Sequence, residues 1–252
     1  MTSAILIPVR LNSQRLPKKA LKKINGKPMI QHLIERLKKV KNIDSIIICT
    51  TTDPSDDELV EFLEKNNLNF FRGSTKDILD RFLKTVEKFK IDFIIAVDGD
   101  DIYSEPKHIE IILNEFQKNN SDCLTISGVP VGFTPIGFKK STLKKICSLK
   151  NTTDTETGYI RFFLNKKLFD IYEIKIKLKK SFSEDLRMSL DYDLDFKIAR
   201  KIFKKFGNNF DIEDILNFLS ENPKILNELN VLQEKWNHHW NKNLSDTSTR
   251  NM

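Results

Sequence analysis

The chain contains no apolar run approaching about 18 residues and no apolar leader ahead of Ile5, so neither membrane spanning nor secretion is expected and the cytoplasm is the expected compartment. Its three cysteines, Cys49, Cys123 and Cys147, sit in apolar surroundings without paired spacing. That excludes a disulfide or zinc framework and suits small buried hydrophobes in a reducing compartment. The four histidines, His32, His108, His238 and His239, are too scattered for a histidine-based zinc site or triad. There is no G-x-x-x-x-G-K-S/T phosphate loop, no G-x-G-x-x-G and no nucleophile elbow. The net charge of +7 comes with no aromatic–basic recognition motif, and the lysines are spread along every expected helix. Nucleic acid is therefore not an expected partner.

With 39% hydrophobic and 31% charged residues over 252 positions, the chain can build one sizeable core. We expect a single domain over residues 1–243 and a flexible polar tail over 244–252. Strand-like and helix-like stretches alternate through the first half, the pattern of βαβ units and a mostly parallel sheet. Strands are expected at Ala4–Pro8, Ser45–Thr50, Asn69–Phe71 and Phe93–Val97. Helices are expected at 29–40, 56–66, 76–89 (capped by Ser74) and 106–119. Residues 121–178 change character and predict a β-rich region with strands at 124–129, 136–138 and 169–178. Leu190–Asp195 predicts a strand end leading into a helix over 196–206, and helices at 212–220 and 224–242 complete the chain. Trp236 and Trp240 share one helical face, which predicts packing against the body or a second subunit.

Four segments carry the chemistry. Ile5–Lys19 runs a short apolar strand into a loop holding Arg10, Ser13, Arg15, Lys18 and Lys19. Loops after the first strand of an open α/β sheet are where anions bind; a basic surface turn is the plainer alternative. Arginine supplies nine of the 42 basic residues, so each arginine is more informative than a lysine about bidentate contact with phosphate or carboxylate. Ile94–Asp101 ends a strand in Asp98, Asp100 and Asp101 around Gly99. Carboxylates at the end of a parallel strand suit Mg²⁺, which takes one or two of them plus substrate phosphates; an acidic turn capping the next helix is the alternative. In Ser189–Asp195, Asp191 is the better metal candidate and Asp195 also suits a helix cap, while a metal role for Asp193 or Asp195 stays open. In the fourth segment Arg72, Gly73 and Ser74 form a strand-to-helix turn able to hold a base or phosphate, and Arg81 follows Asp77 at salt-bridge spacing. A cationic loop and two distant aspartate clusters together describe metal-assisted binding of a triphosphate.

Residues Ile7–Lys19, followed by Ile24-Asn25-Gly26-Lys27-Pro28-Met29-Ile30-Gln31-His32, resemble the opening of the CMP-sugar synthetases, notably the CMP-Kdo synthetase and acylneuraminate cytidylyltransferase families. Phe71–Arg81 and Glu221–Asn230 are more similar to the branch named for spore-coat polysaccharide biosynthesis. The resemblance implies a three-layer α/β fold of the nucleotide-diphospho-sugar transferase type, Rossmann-like, with a mostly parallel, mixed sheet between helices and a β-rich acceptor or dimerisation region at 121–178. It implies an Mg²⁺-dependent cytidylyltransferase that moves CMP from CTP to an acidic sugar, releases pyrophosphate, serves surface glycan synthesis and forms a homodimer. On this resemblance Arg10, Ser13, Arg15 and Lys19 hold the triphosphate and Lys19 stabilises charge. Asp100 and Asp191 bind magnesium, and Arg81 lies near the nucleotide with Arg72, Gly73, Ser74 and Asp98. Glu156 and Arg161 are acceptor candidates, Arg161 for a sugar carboxylate. The chain departs from the family with Lys18 for glycine, Ile102 for proline and Asp98 for an uncharged residue. A nucleotide-sugar-dependent glycosyltransferase using Asp98-Gly99-Asp100, and a non-catalytic nucleotide-binding homologue, are the alternative readings.

Overall fold

The computed structural model describes residues 1–13, 15–183 and 185–249. The chain opens with β1 (Ser3–Pro8), all six residues of which are buried. A 3-10 turn (Lys19–Leu21), a hairpin of β2 (Lys23–Ile24) and β3 (Lys27–Pro28), α1 (Met29–Leu37), β4 (Ser45–Thr51) and α2 (Asp57–Lys65) follow. Next come β5 (Phe70–Gly73), α3 (Ile78–Phe89), β6 (Phe93–Ala96) and α4 (Pro106–Asn119). The second half holds β7 (Cys123–Ser127), β8 (Ile136–Lys139), α5 (Lys140–Leu149), a 3-10 segment (Tyr159–Leu164), β9 (Ile171–Lys175), α6 (Asp193–Phe206), α7 (Ile212–Glu221) and α8 (Pro223–Asn243).

Seven strands form one sheet in the order β5-β4-β1-β6-β8-β7-β9. Pairing is parallel except at β8, which runs antiparallel to both β6 and β7. Isoleucine-rich runs such as Ile46-Ile47-Ile48 and Ile94-Ile95 suit a sheet covered on both faces. Alternation along β1 splits the core. Ile5 and Ile7 join Leu33, Leu59, Ile112 and Ile198 on one face, while Ala4 and Leu6 join Leu79, Phe82, Leu143 and Phe163 on the other. This is the three-layer mixed sheet that the alternating pattern predicts.

Several boundaries differ from expectation, each for a local reason. The 121–178 region supplies three strands of the common sheet. It also contains α5, which the sequence reading missed because KSTLKKICSL offers few apolar positions; Leu143 and Ile146 bury beneath α3 and β8. The strand end expected at 190–195 is absent, since Leu190 has no extended partner and its N–H instead reaches Asp100 O at 3.0 Å. Helix α6 begins three residues early because the Asp195 carboxylate accepts the N–H groups of Asp191 and Tyr192. Helix α3 is capped by Asp77, whose Oδ1 accepts Asp80 N at 3.1 Å, while the Ser74 hydroxyl accepts Asp77 N. Of the residues expected to form a free tail, Ser245 N donates to Thr157 O at 3.0 Å and Asn151 N donates to Ser248 O at 3.3 Å. Residues 250–252, the remainder of that tail, lie outside the described residues.

Candidate active site

The sheet grows in both directions from β1, and this topology puts the usual ligand crevice of open α/β sheets at the loops leaving the carboxyl ends of β1 and β6. Two local features bring those loops together. Gly99 packs so closely on β1 that a Cβ there would lie 2.9 Å from Pro8 O and 2.8 Å from Val9 Cβ, so only glycine lets Asp98–Asp100 cross at this height. Lys18, standing where the resembled family has glycine, adopts φ 53° in the left-handed region. For a residue with a side chain that costs about 1 kcal/mol, and the turn it makes sends Lys19 inward.

Lys19 is the hub. Its Nζ donates to Asp100 Oδ2 at 2.5 Å, Asp191 Oδ1 at 3.0 Å and Leu190 O at 2.9 Å. Three segments far apart in sequence thus meet at one ammonium. Burial works against its charge, but Asp100 and Asp191 outweigh burial and hold its pKa above the ordinary lysine value. Asp191, 2% exposed, also accepts from Arg15 Nη2 at 2.5 Å, Trp236 Nε1 at 2.9 Å and Arg187 Nη1 at 3.4 Å. Burial alone would raise its pKa; Lys19, Arg15 and Arg187 override it and keep the carboxylate ionised far below the usual range. Arg187 in turn grips both oxygens of Asp195 at 3.0 Å, which fixes the start of α6.

A second group lies along the same crevice. Glu156 bridges Arg81, which is 1% exposed, and Arg10 Nε at 3.1 Å. Arg81 also donates to Ser74 O at 2.9 Å and Cys49 O at 3.2 Å, and Arg10 to Thr75 O at 3.3 Å, so these arginines frame the turn between β5 and α3. A Cβ on Gly73 would meet Arg81 Cγ at 3.0 Å, which keeps that turn tight. Between the two groups, Tyr159 OH donates to Asp98 Oδ1 at 2.8 Å. Burial, then the Asp100 charge, pushes Asp98 up to about 7 and raises Asp101 well above the carboxylate range.

The structure thus brings together Arg10, Arg15, Lys19, Arg81, Asp98, Asp100, Glu156 and Asp191. It sets others apart. Arg72 turns to Thr51 O, Asp53 O and Asp57. The Ser13 hydroxyl accepts Leu16 N at 3.3 Å within its own loop, and Arg161 is exposed on the 3-10 segment. Asp193 lies on the surface against Lys22, and the Asp195 oxygens are taken by Arg187 and backbone N–H groups, so neither shares the cluster around Lys19. Glu156, an acceptor candidate on sequence, pairs with Arg10 and Arg81.

Sequence reading missed Arg187, Tyr159, Trp236 and Asp56. Asp56 is fully buried and accepts Leu11 N at 2.7 Å, anchoring the cationic loop. Arg187 had a usable signal, being a lone arginine four residues before Asp191 in a lysine-rich stretch. Trp236 and Tyr159 had none, since their partners lie 45 and 61 residues away.

The donor set fits a hard divalent cation. Asp100 and Asp191 already share one cation, and Asp100 is partly exposed toward the crevice. Among the described residues no group of three or more His, Cys, Asp or Glu side chains is arranged to hold a metal by itself. Mg²⁺ needs only one or two carboxylates when substrate phosphates complete its shell. No helix of the described residues is long and apolar enough to cross a membrane.

Comparison with known proteins gives a consistent picture. A family model described as cytidylyltransferase matches residues 4–235. An uncharacterized protein of Methanocaldococcus jannaschii is 32% identical over 238 residues, covering 92% of this chain and 96% of its own. The spore coat polysaccharide biosynthesis protein SpsF of Bacillus subtilis is 23% identical over 231 residues, covering 88% and 96%. A 3-deoxy-manno-octulosonate cytidylyltransferase of Hydrogenovibrio crunogenus is 33% identical over 127 residues, about half of each chain (48% and 50%). Among solved structures, a cytidylyltransferase from Leptospira borgpetersenii superposes with a TM-score of 0.80 at 25% identity, covering 89% of this chain and 96% of its own.

Proposed function

The chain belongs to the cytidylyltransferase family and is a nucleotidyltransferase, and on that premise we propose that it transfers CMP from CTP to an acidic sugar of the 2-keto-3-deoxy type, with release of pyrophosphate and Mg²⁺ as the metal. The observation that carries this is the single ammonium of Lys19 held by Asp100 and Asp191 at the carboxyl-end crevice. The acceptor class rests on the half-length likeness to a 3-deoxy-manno-octulosonate cytidylyltransferase, and surface-glycan use on the likeness to a spore coat polysaccharide protein. Reaction in the cytoplasm, where CTP is available, accords with the free thiols.

With Asp100 and Asp191 turned to a bound cation, Lys19 and Arg15 would present their positive charge where the β- and γ-phosphates would leave, stabilising charge that grows as the α-phosphorus–oxygen bond breaks. Arg10 and Arg81, tied by Glu156, hold the nucleotide end rigid, which favours in-line approach of the acceptor oxygen. Bound Mg²⁺ would be held by Asp100 and Asp191 and would supply Lewis-acid neutralisation of the phosphates. Charge balance supports that need. Each of the five crevice cations, Arg10, Arg15, Lys19, Arg81 and Arg187, already faces a carboxylate. A triphosphate must therefore arrive with its own countercharge.

A homodimer is proposed through β9, the outermost strand of the sheet. Glu173 and Lys175 flank Ile174 on its exposed edge, so antiparallel pairing of two copies about Ile174 would set each glutamate opposite a lysine. Light scattering showing a monomer at micromolar concentration would overturn this. The activity is tested by measuring pyrophosphate release from each nucleoside triphosphate against a panel of 2-keto sugar acids and sugar phosphates. CTP with a sugar acid is the expected pair; tight binding of a nucleotide sugar with no CTP turnover would replace this reading with a glycosyltransferase.

A further inference from the structure

Residue 235 is the last one matched by the cytidylyltransferase family model, and the eight remaining residues of α8 begin with Trp236. From that helix the Trp236 indole N–H reaches Asp191 Oδ2 at 2.9 Å, across 45 residues of sequence. Asp191 Oδ1 faces the other way, toward Lys19 and Arg15. One oxygen is therefore turned to the shared cation position and the other is held from behind. The remaining donors to Oδ2, Arg187 Nη1 and Ser189 Oγ, both stand at 3.4 Å, so the indole makes its shortest bond.

The helix is itself fastened over the site. Trp236 and Trp240 stack at 4.9 Å with 19° between their planes, and the Arg187 guanidinium lies 5.9 Å from the Trp236 ring. A Cβ on Gly158 would touch Leu244 Cδ1 at 2.5 Å and come within 3.5 Å of Trp240, so the end of α8 lies directly on the segment that carries Glu156 and Tyr159. The bond from Ser245 N to Thr157 O continues that attachment.

We propose that Trp236 is a positioning residue: through its indole N–H, the C-terminal part of α8 orients the Asp191 carboxylate so that Oδ1 is presented to the metal of the metal–nucleotide complex. This rests on the proposed role of Asp191 as a metal ligand. Partners that hold the far side of a ligating group fix its orientation, and their loss weakens metal binding by about 10–100-fold. Phenylalanine at 236 keeps a ring to stack on Trp240 but removes the indole N–H, leaving Oδ2 to the two 3.4 Å contacts from Arg187 and Ser189.

The test is Mn²⁺ binding in the presence of saturating CTP and without acceptor, read by water-proton relaxation of the bound ion so that no turnover is involved. Wild type, Trp236→Phe, Trp240→Phe and Asp191→Asn are compared. Trp236→Phe is expected to weaken Mn²⁺ binding about tenfold, while Trp240→Phe leaves it unchanged and both variants melt alike. Wild-type affinity in Trp236→Phe, or an equal loss in Trp240→Phe, would overturn the proposal while leaving the metal role of Asp191 intact. Asp191→Asn binding Mn²⁺ as well as wild type would overturn that role and this inference with it.

Discussion

Replacing Lys19 by methionine probes the centre of the site with little change of volume. The substitution removes one buried ammonium and leaves two carboxylates facing each other. Breaking a buried pair by deleting one partner costs about 3–5 kcal/mol. Here Asp191 keeps Arg15 and Arg187, and the Asp100 side chain, 23% exposed, can take up water. The loss therefore belongs near the low end, about 3 kcal/mol, or a fall of about 6–12 °C in melting temperature for a chain of this size. Scanning fluorimetry or calorimetry measures it directly. Adding Asp191→Asn to the Lys19→Met background should recover part of the loss by removing one of the opposed charges. Millimolar Mg²⁺ should also recover part, because a cation can then enter between the carboxylates. CTP-dependent pyrophosphate release should drop by about 10²-fold or more, as when a donor to developing charge is deleted elsewhere. A Lys19→Met variant melting within about 2 °C of wild type, with no response to either rescue, would refute the ion-pair reasoning.

Gly99→Ala should push the loop after β6 away from Pro8 O and Val9, costing about 1–3 kcal/mol and lowering turnover more than nucleotide binding; kinetics and urea titration separate the two. Burial lowers the pKa of His108 from 6.5, with Lys107 adding to the effect and the bond to Phe133 O opposing it. The fold therefore prefers the neutral ring, and the stability that preference contributes is complete above pH 6.5 and lost as pH falls below it. His108→Asn should flatten the decline in urea midpoint on the acid side, and an unchanged slope would count against it. Burial pushes the Cys49, Cys123 and Cys147 thiols up to about 12. Cys49 and Cys123, both buried, should react slowly with a thiol-directed reagent at pH 8 until denaturant is added, with the half-buried Cys147 labelling first, whereas rapid labelling of Cys49 or Cys123 in the native state contradicts that burial.

What was legible in advance followed local rules. Short isoleucine-rich runs bounded by proline or aspartate could only be buried strands, and the alternation with amphipathic stretches specified a parallel sheet covered on both faces. That sheet put Arg10, Lys19, Asp98 and Asp100 at the ends of β1 and β6, because loops after neighbouring parallel strands emerge on the same side. The glycine at 99 belongs to the same local logic, whereas a lysine at 18 gave no sign of its left-handed backbone. Glu156 shows its limit: a carboxylate beside Thr155 and Thr157 gives no hint that two arginines from different loops will claim it, and α5 went unread because its packing against α3 and β8, rather than its own propensity, makes it a helix.

By itself, the order of residues settled which segments become strands and helices and which loop gathers the cations, since those outcomes depend on hydrophobic period and turn chemistry within a few positions. Tertiary structure alone decided that Asp191 would be held by Lys19, Arg15, Arg187 and Trp236 at once. Those partners lie up to 176 residues from it, and a buried carboxylate stays charged only where the whole fold delivers enough donors to replace the water it has lost.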